Sequence, residues 1–187
     1  MTKRQSQSVA SKERDTVFSG SRFDVDRVEV ETDGKGSVTR EMVVHPGAVA
    51  ILPIFDDTDS IVMIRNERFA VGESLWELPA GTLEPSEDPF DCAGRELIEE
   101  TGYKAASLTR LTEFYTTPGF CNERMLGYLA EGLEHVGQDL EAGEKITVEP
   151  LAYDRVIRMI ENGDIRDGKT IALLLLYDRF RRDRGSD

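Results

Sequence analysis

The stretch GTLEPSEDPFDCAGRELIEETGY, residues 81–103, decides the fold, because turn signals run directly into a segment rich in carboxylates. Asp88 is a good N-cap residue, and Pro89 suits the first position of a helix. Gly102 suits the residue just past a helix end. These residues predict a helix of about three turns between Asp88 and Gly102.

The predicted helix is amphipathic. Like charges three or four residues apart destabilise a helix, so the acidic face requires neutralisation. Arg95 supplies one positive charge, and a hard divalent cation such as Mg²⁺ would supply more, because it prefers carboxylate oxygens. At about 100° per residue, the apolar face carries Phe90, Ala93, Gly94, Leu97 and Thr101, and the acidic face carries Glu96, Glu99 and Glu100.

A glutamate-rich helix is usually no more than a solvated face, and here the spacing argues otherwise. Five residues separate Gly81 from Glu87, and seven more precede Arg95 and Glu96. With the following ELIEETGY, this pattern resembles the Nudix box, GX5EX7REUXEEXGU, where U is bulky and apolar; Tyr103 is the least close match. The resemblance implies an α/β fold, the Nudix-type α/β/α sandwich with a mixed sheet, preceded by a small N-terminal β-sheet.

Length and charge limit the function classes. The 187 residues suit one domain with a modest extension. A formal net charge of −13 argues against nonspecific binding to nucleic acid or to an anionic membrane. No run approaches the roughly 20 apolar residues of a membrane span. Cys92 and Cys121 form no disulfide framework, which favours a cytoplasmic location.

Three segments are expected along the chain. Residues 1–20 are polar and predict a flexible leader, residues 21–45 predict a β-hairpin that serves as a dimerisation sheet, and residues 46–187 predict the Nudix domain. Within that domain, we expect buried strands over residues 47–55 and 60–66, strands on both sides of a loop at 118–123, a short strand at 146–148, and closing helices at 154–162 and 169–182.

Two further motifs narrow the resemblance. LWELPAG precedes the box, and TTPGFCNER places Pro118 sixteen residues beyond Gly102. Both are similar to sequences of the ADP-ribose pyrophosphatase subfamily. This resemblance implies a homodimer that uses Mg²⁺, or Mn²⁺, to hydrolyse a nucleoside diphosphate sugar. The expected reaction converts ADP-ribose to AMP and ribose 5-phosphate.

The resemblance also implies roles at individual positions. Glu144 would be the base that accepts a proton from the attacking water, with Glu141 as its rival on the same acidic loop. The metal ligands would be the Ala80 carbonyl, Glu96, Glu100 and Glu99, of which Glu99 is also expected to be catalytic together with Arg95. The box would be supported by Gly81, Glu87 and Gly102, and the expected substrate contacts are Arg40, Arg68, Glu77, Pro118 and Glu123.

Two alternatives stay open. The box implies pyrophosphate chemistry but says nothing of the sugar, so hydrolysis of another nucleoside diphosphate sugar such as GDP-mannose is the nearest rival. The second alternative is a non-catalytic Nudix domain that senses nucleotides. Such domains commonly lose carboxylates of the box, whereas this chain retains Glu87, Glu96, Glu99 and Glu100.

Overall fold

The computed structural model describes residues 14–32 and 36–184, which form ten strands and three helices. The described residues divide into two compact units. One unit runs to His45 and includes Thr117–Glu123, and the other comprises Pro46–Thr116 and the chain from Arg124 onward. Within the described ranges, no helix is both long and apolar enough to cross a membrane.

The first unit contains a three-stranded antiparallel sheet. Its strands β1 (Arg14–Ser19), β2 (Asp24–Thr32) and β3 (Gly36–Val44) lie in that order, so β2 and β3 form the hairpin that the sequence predicts. The backbone N–H of Val43 donates to the Phe120 carbonyl at 2.7 Å. This bond joins the segment Thr117–Glu123 to the sheet.

The predicted leader differs from the structure. Residues 1–13 lie outside the described residues, but Arg14–Ser19 form strand β1 rather than the end of a flexible leader. All six residues of β1 are exposed, so no apolar alternation marks the strand in the sequence. The strand is held by its pairing with β2 and by a 2.8 Å hydrogen bond from the Thr16 hydroxyl to the buried Asp26 carboxylate.

The second unit is built on a mixed seven-stranded sheet. Its central order is β10-β5-β4-β9-β8, with β6 beside β5 and β7 beside β4; β4 and β9 run parallel, and the other pairs are antiparallel. The strands are β4 (Ala48–Phe55), β5 (Ser60–Arg68), β6 (Glu73–Glu77), β7 (Ala80–Thr82), β8 (Tyr103–Tyr115), β9 (Arg124–His135) and β10 (Ile146–Ala152).

Helices cover both faces of this sheet. They are α1 (Pro89–Thr101), α2 (Tyr153–Glu161) and α3 (Gly168–Arg184). Along β4, Ala50 and Leu52 pack in one apolar cluster with residues of α2 and α3, whereas Val49 and Ile51 pack in a second cluster with α1. Successive side chains of a strand point to opposite faces, which explains why β4 is apolar throughout. The predicted α/β/α sandwich with a mixed sheet is confirmed.

Helix α1 has the predicted ends. The Asp88 carboxylate accepts a hydrogen bond from the Phe90 N–H at 2.8 Å, and Gly102 adopts a left-handed φ of 73°. Ala93 and Leu97 are fully buried, as the helical pattern predicts. Phe90 is the exception on the apolar face. It is 51% exposed in the first turn, where its ring meets Tyr128 edge-on rather than entering the core.

Candidate active site

Glu100 is the most deeply buried carboxyl group of α1. It is 3% exposed, and its Oε2 accepts a hydrogen bond from the Ala80 N–H at 2.8 Å. Burial raises the pKa of Glu100 from 4.5 to about 8, and the charges of Glu96 and Glu144 add to this effect. The side chain expected on the acidic face therefore points into the protein, beside the strand β7 that precedes the helix.

Glu96 lies one turn earlier, directly against the backbone of Gly81. A Cβ atom at Gly81 would stand only 1.8 Å from the Glu96 Cδ. Burial raises the pKa of Glu96 from 4.5 to about 7, and the neighbouring charges of Glu99 and Glu144 act in the same direction. The absence of a side chain at Gly81 thus makes room for this carboxyl group beside β7.

Arg95 connects the remaining carboxylates of the box. Its Nε and Nη2 donate to the two carboxylate oxygens of Glu87 at 2.8 and 3.0 Å. Its Nη1 donates to Glu96 Oε1 at 2.7 Å and to Glu99 Oε2 at 2.8 Å. The hydrogen bonds from Arg95 are the main reason why the pKa of Glu87 is lowered to about 2. Arg95 therefore ties Glu87, Glu96 and Glu99 together, and the expected catalytic role of Arg95 stays a prediction.

The donor set of this cluster fits a divalent cation. Arg95 brings one positive charge to Glu87, Glu96 and Glu99, and Glu100 lies close enough to Glu96 to feel its charge, so the carboxyl groups outnumber the single cation. Carboxylate oxygens suit hard ions, and an ion that binds to Glu96 and Glu100 would displace their protons. Across residues 14–32 and 36–184, no three His, Cys, Asp or Glu side chains are arranged as a ready metal site.

The two candidate bases occupy one turn of the loop before β10. The Glu144 N–H donates to the Glu141 carbonyl at 3.1 Å, and the Glu141 N–H donates to Glu144 Oε2 at 3.0 Å. The charge of Glu144 also contributes to the raised pKa values of Glu96 and Glu100, so this loop residue lies within electrostatic reach of both. These contacts favour Glu144, and its role as the base stays a prediction.

Arg68 and Glu77 form a bidentate ion pair between β5 and β6. The Arg68 Nε donates to Glu77 Oε1 at 2.7 Å, and Nη2 donates to Oε2 at 2.6 Å. The hydrogen bonds that Arg68 donates to Glu77 raise the pKa of Arg68, with smaller contributions from the charges of Glu100 and Asp167. The structure therefore pairs two of the expected substrate contacts with each other near Glu100, and of the two only Arg68 is exposed.

Sequence reasoning missed Lys169, which binds the same Glu77 carboxylate from the first turn of α3. One signal was present in the sequence. A lysine is unfavourable in the first turn of a helix, where the helix dipole already places positive charge. The preceding Asp167 is an N-cap residue type, and its carboxylate accepts from the Thr170 N–H at 3.0 Å. An unfavourably placed lysine just after a cap indicates a carboxylate partner elsewhere.

The other expected substrate contacts belong to the first unit. Arg40 lies exposed on β3, where its Nη1 donates to the Thr39 carbonyl at 3.2 Å. Pro118 lies in the segment that joins β8 to β9, and a Glu123 oxygen stands 3.8 Å from the His45 Nδ1. Their contacts with a substrate stay predictions.

Known proteins resemble this chain over most of its length. It is 37% identical over 159 residues to an ADP-ribose pyrophosphatase of Bacillus subtilis, an alignment that covers 84% of this chain and 85% of that protein. It is 44% identical over 125 residues to an ADP-ribose pyrophosphatase of Mycobacterium tuberculosis, which covers 66% of this chain and 60% of that protein.

The fold has a close counterpart among solved structures. The crystal structure of an ADP compounds hydrolase superposes with a TM-score of 0.82 at 23% identity, covering 94% of this chain and 95% of that one. The family model described as NUDIX domain matches residues 44–174, more than half of the chain. Nudix hydrolases use divalent metal ions. The matched range contains the whole cluster around Arg95, and the chain belongs to the Nudix family of hydrolases.

Proposed function

We propose that this protein is a Mg²⁺-dependent enzyme that hydrolyses ADP-ribose to AMP and ribose 5-phosphate. One structural observation carries the proposal: Glu100 is buried and Glu96 is half-buried beside β7, and Arg95 donates to Glu96, so that carboxyl oxygens are concentrated beside this strand. The names of the Bacillus and Mycobacterium relatives support ADP-ribose as the substrate. The motifs LWELPAG and TTPGFCNER support the same subfamily.

The side chains of the second unit would share the work of hydrolysis. Glu96 and Glu100, with Glu99 and the Ala80 carbonyl, would hold the divalent ions; when bound, these ions neutralise pyrophosphate charge and lower the pKa of water. Glu144 would accept the proton of the attacking water, as a general base within reach of the cluster.

Substrate binding would fall to cationic and polar groups around this cluster. Arg68 would donate to diphosphate oxygens, since guanidinium groups suit phosphates and more than a third of its side chain is exposed. Arg40, Pro118 and Glu123 are proposed as further contacts from the first unit. We also propose that the enzyme is a cytoplasmic homodimer. In this dimer, three of the exposed apolar side chains of the first unit, Val17, Phe18 and Phe23, pack against the second copy.

Product analysis tests the proposed reaction. The protein is incubated with ADP-ribose and Mg²⁺, and the products are separated by chromatography. Parallel reactions replace ADP-ribose with GDP-mannose or a diadenosine polyphosphate, or replace Mg²⁺ with Mn²⁺. We expect AMP and ribose 5-phosphate, and we expect Glu100→Gln to reduce kcat at least about 100-fold, because a carboxylate donor to the ions is lost. Glu149→Gln removes an exposed carboxylate of β10 and should leave the rate unchanged.

Other outcomes select the alternatives. Preferential cleavage of GDP-mannose would keep the chemistry but change the substrate class. Nucleotide binding by folded, metal-loaded protein without turnover of any pyrophosphate would identify a sensing domain and overturn the proposed enzyme.

A further inference from the structure

Four charged side chains meet between the sheet and the start of α3. Glu77 Oε2, which accepts from Arg68, also accepts from the Lys169 Nζ at 2.5 Å. The same Nζ lies 3.0 Å from the Asp167 Oδ1. Two cations and two anions therefore meet with no net charge, which is the arrangement that a buried ionic cluster requires.

The four side chains differ in their access to solvent. Glu77 is completely shielded, and Lys169 and Asp167 are largely shielded, whereas the Arg68 side chain is 37% exposed. Arg68 is therefore the member of this cluster that can meet a ligand. The charge of Glu100 also acts on Arg68, which places the guanidinium near the carboxylates of α1.

Lys169 gives the Glu77 carboxylate a second cationic partner. Without it, Arg68 would be the sole cationic partner of the buried Glu77 carboxylate among the described residues. The attraction between these two groups would then oppose any move of the guanidinium toward a phosphate. With Lys169 bound at Oε2, the negative charge of Glu77 is neutralised from the buried side. Arg68 keeps its orientation through two hydrogen bonds.

Contacts other than this ammonium group also dock α3. The Leu78 N–H donates to the Thr170 hydroxyl at 2.9 Å, which ties the helix start to the segment after β6. Leu173 and Leu174 of the same helix are fully buried in the core. These contacts remain available to α3 when the charge of Lys169 is removed.

We propose that Lys169 is a positioning residue for substrate binding: it neutralises Glu77 so that Arg68 can offer its charge to the diphosphate of the substrate. The inference rests on the proposed function, in which Arg68 contacts that diphosphate.

The test compares Lys169→Met and Lys169→Arg with wild type. KM and kcat are measured for ADP-ribose, and the affinity for inorganic pyrophosphate in the presence of Mg²⁺ is measured by calorimetry. Lys169→Met is expected to raise KM and to weaken pyrophosphate binding, each about tenfold, with kcat within about twofold of wild type. Lys169→Arg retains the charge and should restore both values. Lys169→Gln keeps a hydrogen-bond donor without the charge, and it is expected to behave as Lys169→Met. It replaces Lys169→Met in the test if that variant does not fold.

Arg166→Met is the matched control. Arg166 lies three residues earlier and pairs with Glu73 on the surface, so its loss removes the same charge from the same segment. This variant should leave KM unchanged.

The proposal would be overturned if Lys169→Met kept its KM and its pyrophosphate affinity within about twofold of wild type and showed only a lower melting temperature. If the wild type does not turn over ADP-ribose, the proposed function fails, and the pyrophosphate affinities still decide the role of Lys169.

Discussion

Gly81 shows how a single missing side chain creates the site. A Cβ at this position would stand 1.8 Å from the Glu96 Cδ and 1.9 Å from its Oε1, but these atoms end a flexible side chain that can turn away. We predict that Gly81→Ala leaves the fold intact while it displaces Glu96. The affinity for Mg²⁺ and kcat/KM should each fall about 10- to 100-fold. Metal titration by calorimetry and steady-state kinetics measure these losses.

Gly94→Ala is the control on the same helix. A Cβ at Gly94 would lie 3.8 Å from Leu108 Cδ1, which is an ordinary van der Waals contact. Alanine also has a higher helix propensity than glycine in a helix interior. This variant should match wild type in activity and melt slightly higher. Normal Mg²⁺ affinity in folded Gly81→Ala would show that Glu96 does not bind the metal from its position beside β7.

The sequence predicts the identity of the box residues better than their surroundings. The fixed spacing is enough to identify Glu87, Arg95 and Glu96, because these residues lie close together in the sequence and a turn and a single helix set their relative positions. It could not show that Glu100 is buried, since burial depends on β7 packing against the helix. Lys169 was missed for a related reason: its partner Glu77 is 92 residues away in sequence, and one sequence does not reveal such contacts.

At the scale of elements, the end of α1 is held to the loop that leads to Glu144. The N–H groups of Val136 and Gly137 donate to the Gly102 carbonyl at 2.7 and 3.1 Å, and the Asp139 N–H donates to the Glu99 carbonyl at 3.2 Å. The closing turn of the helix thus positions the first part of the loop.

Gly102→Ala should destabilise the protein through this junction. A Cβ there would lie 2.8 Å from the Gln138 nitrogen and 2.9 Å from the Gly137 carbonyl carbon, and backbone atoms cannot move aside as a side chain can. With the cost of a left-handed φ of 73°, we expect a loss of about 2–4 kcal/mol in the free energy of unfolding. Urea denaturation measures this loss, with kcat recorded in parallel.

Gly163→Ala separates the two causes of that loss. Gly163 has a left-handed φ of 78°, and a Cβ added there would meet no atom within 4 Å, so its replacement carries only the conformational cost, about 1 kcal/mol. Equal losses in the two variants would mean that the contact of Gly102 with the loop has no energetic weight.

Elements were predictable from the sequence where a pattern of burial or capping marks them. The ends of α1 follow from Asp88 and Gly102, and β4 follows from its continuous apolar run. Strand β1 carries no such pattern, because every residue in it is exposed and the strand is held by a neighbour on one side. Sequence periodicity reports burial, and an exposed edge strand has none.

For the whole molecule, the raised pKa values connect stability to pH and to metal. The pKa values of Glu96 and Glu100 are raised from 4.5 in the unfolded chain to about 7 and about 8. Their contribution to stability is therefore fully present below pH 4.5 and is lost as pH rises through these two values. Glu87 acts oppositely: its pKa is lowered to about 2, so its contribution is present above pH 4.5 and is lost as pH falls toward that value.

We predict that the melting temperature of the metal-free protein falls as pH rises from 4.5 to about 8, because Glu96 and Glu100 dominate the pH dependence of stability in this range. Mg²⁺ should raise the melting temperature most at the upper end of this range, because it binds the deprotonated carboxylates. Calorimetric scans across pH, with chelator or with Mg²⁺, measure both effects. Glu100→Gln should flatten the metal-free slope, whereas Glu149→Gln, which removes an exposed carboxylate, should leave the slope unchanged. A slope that is the same in wild type and Glu100→Gln would show that another group controls this pH dependence.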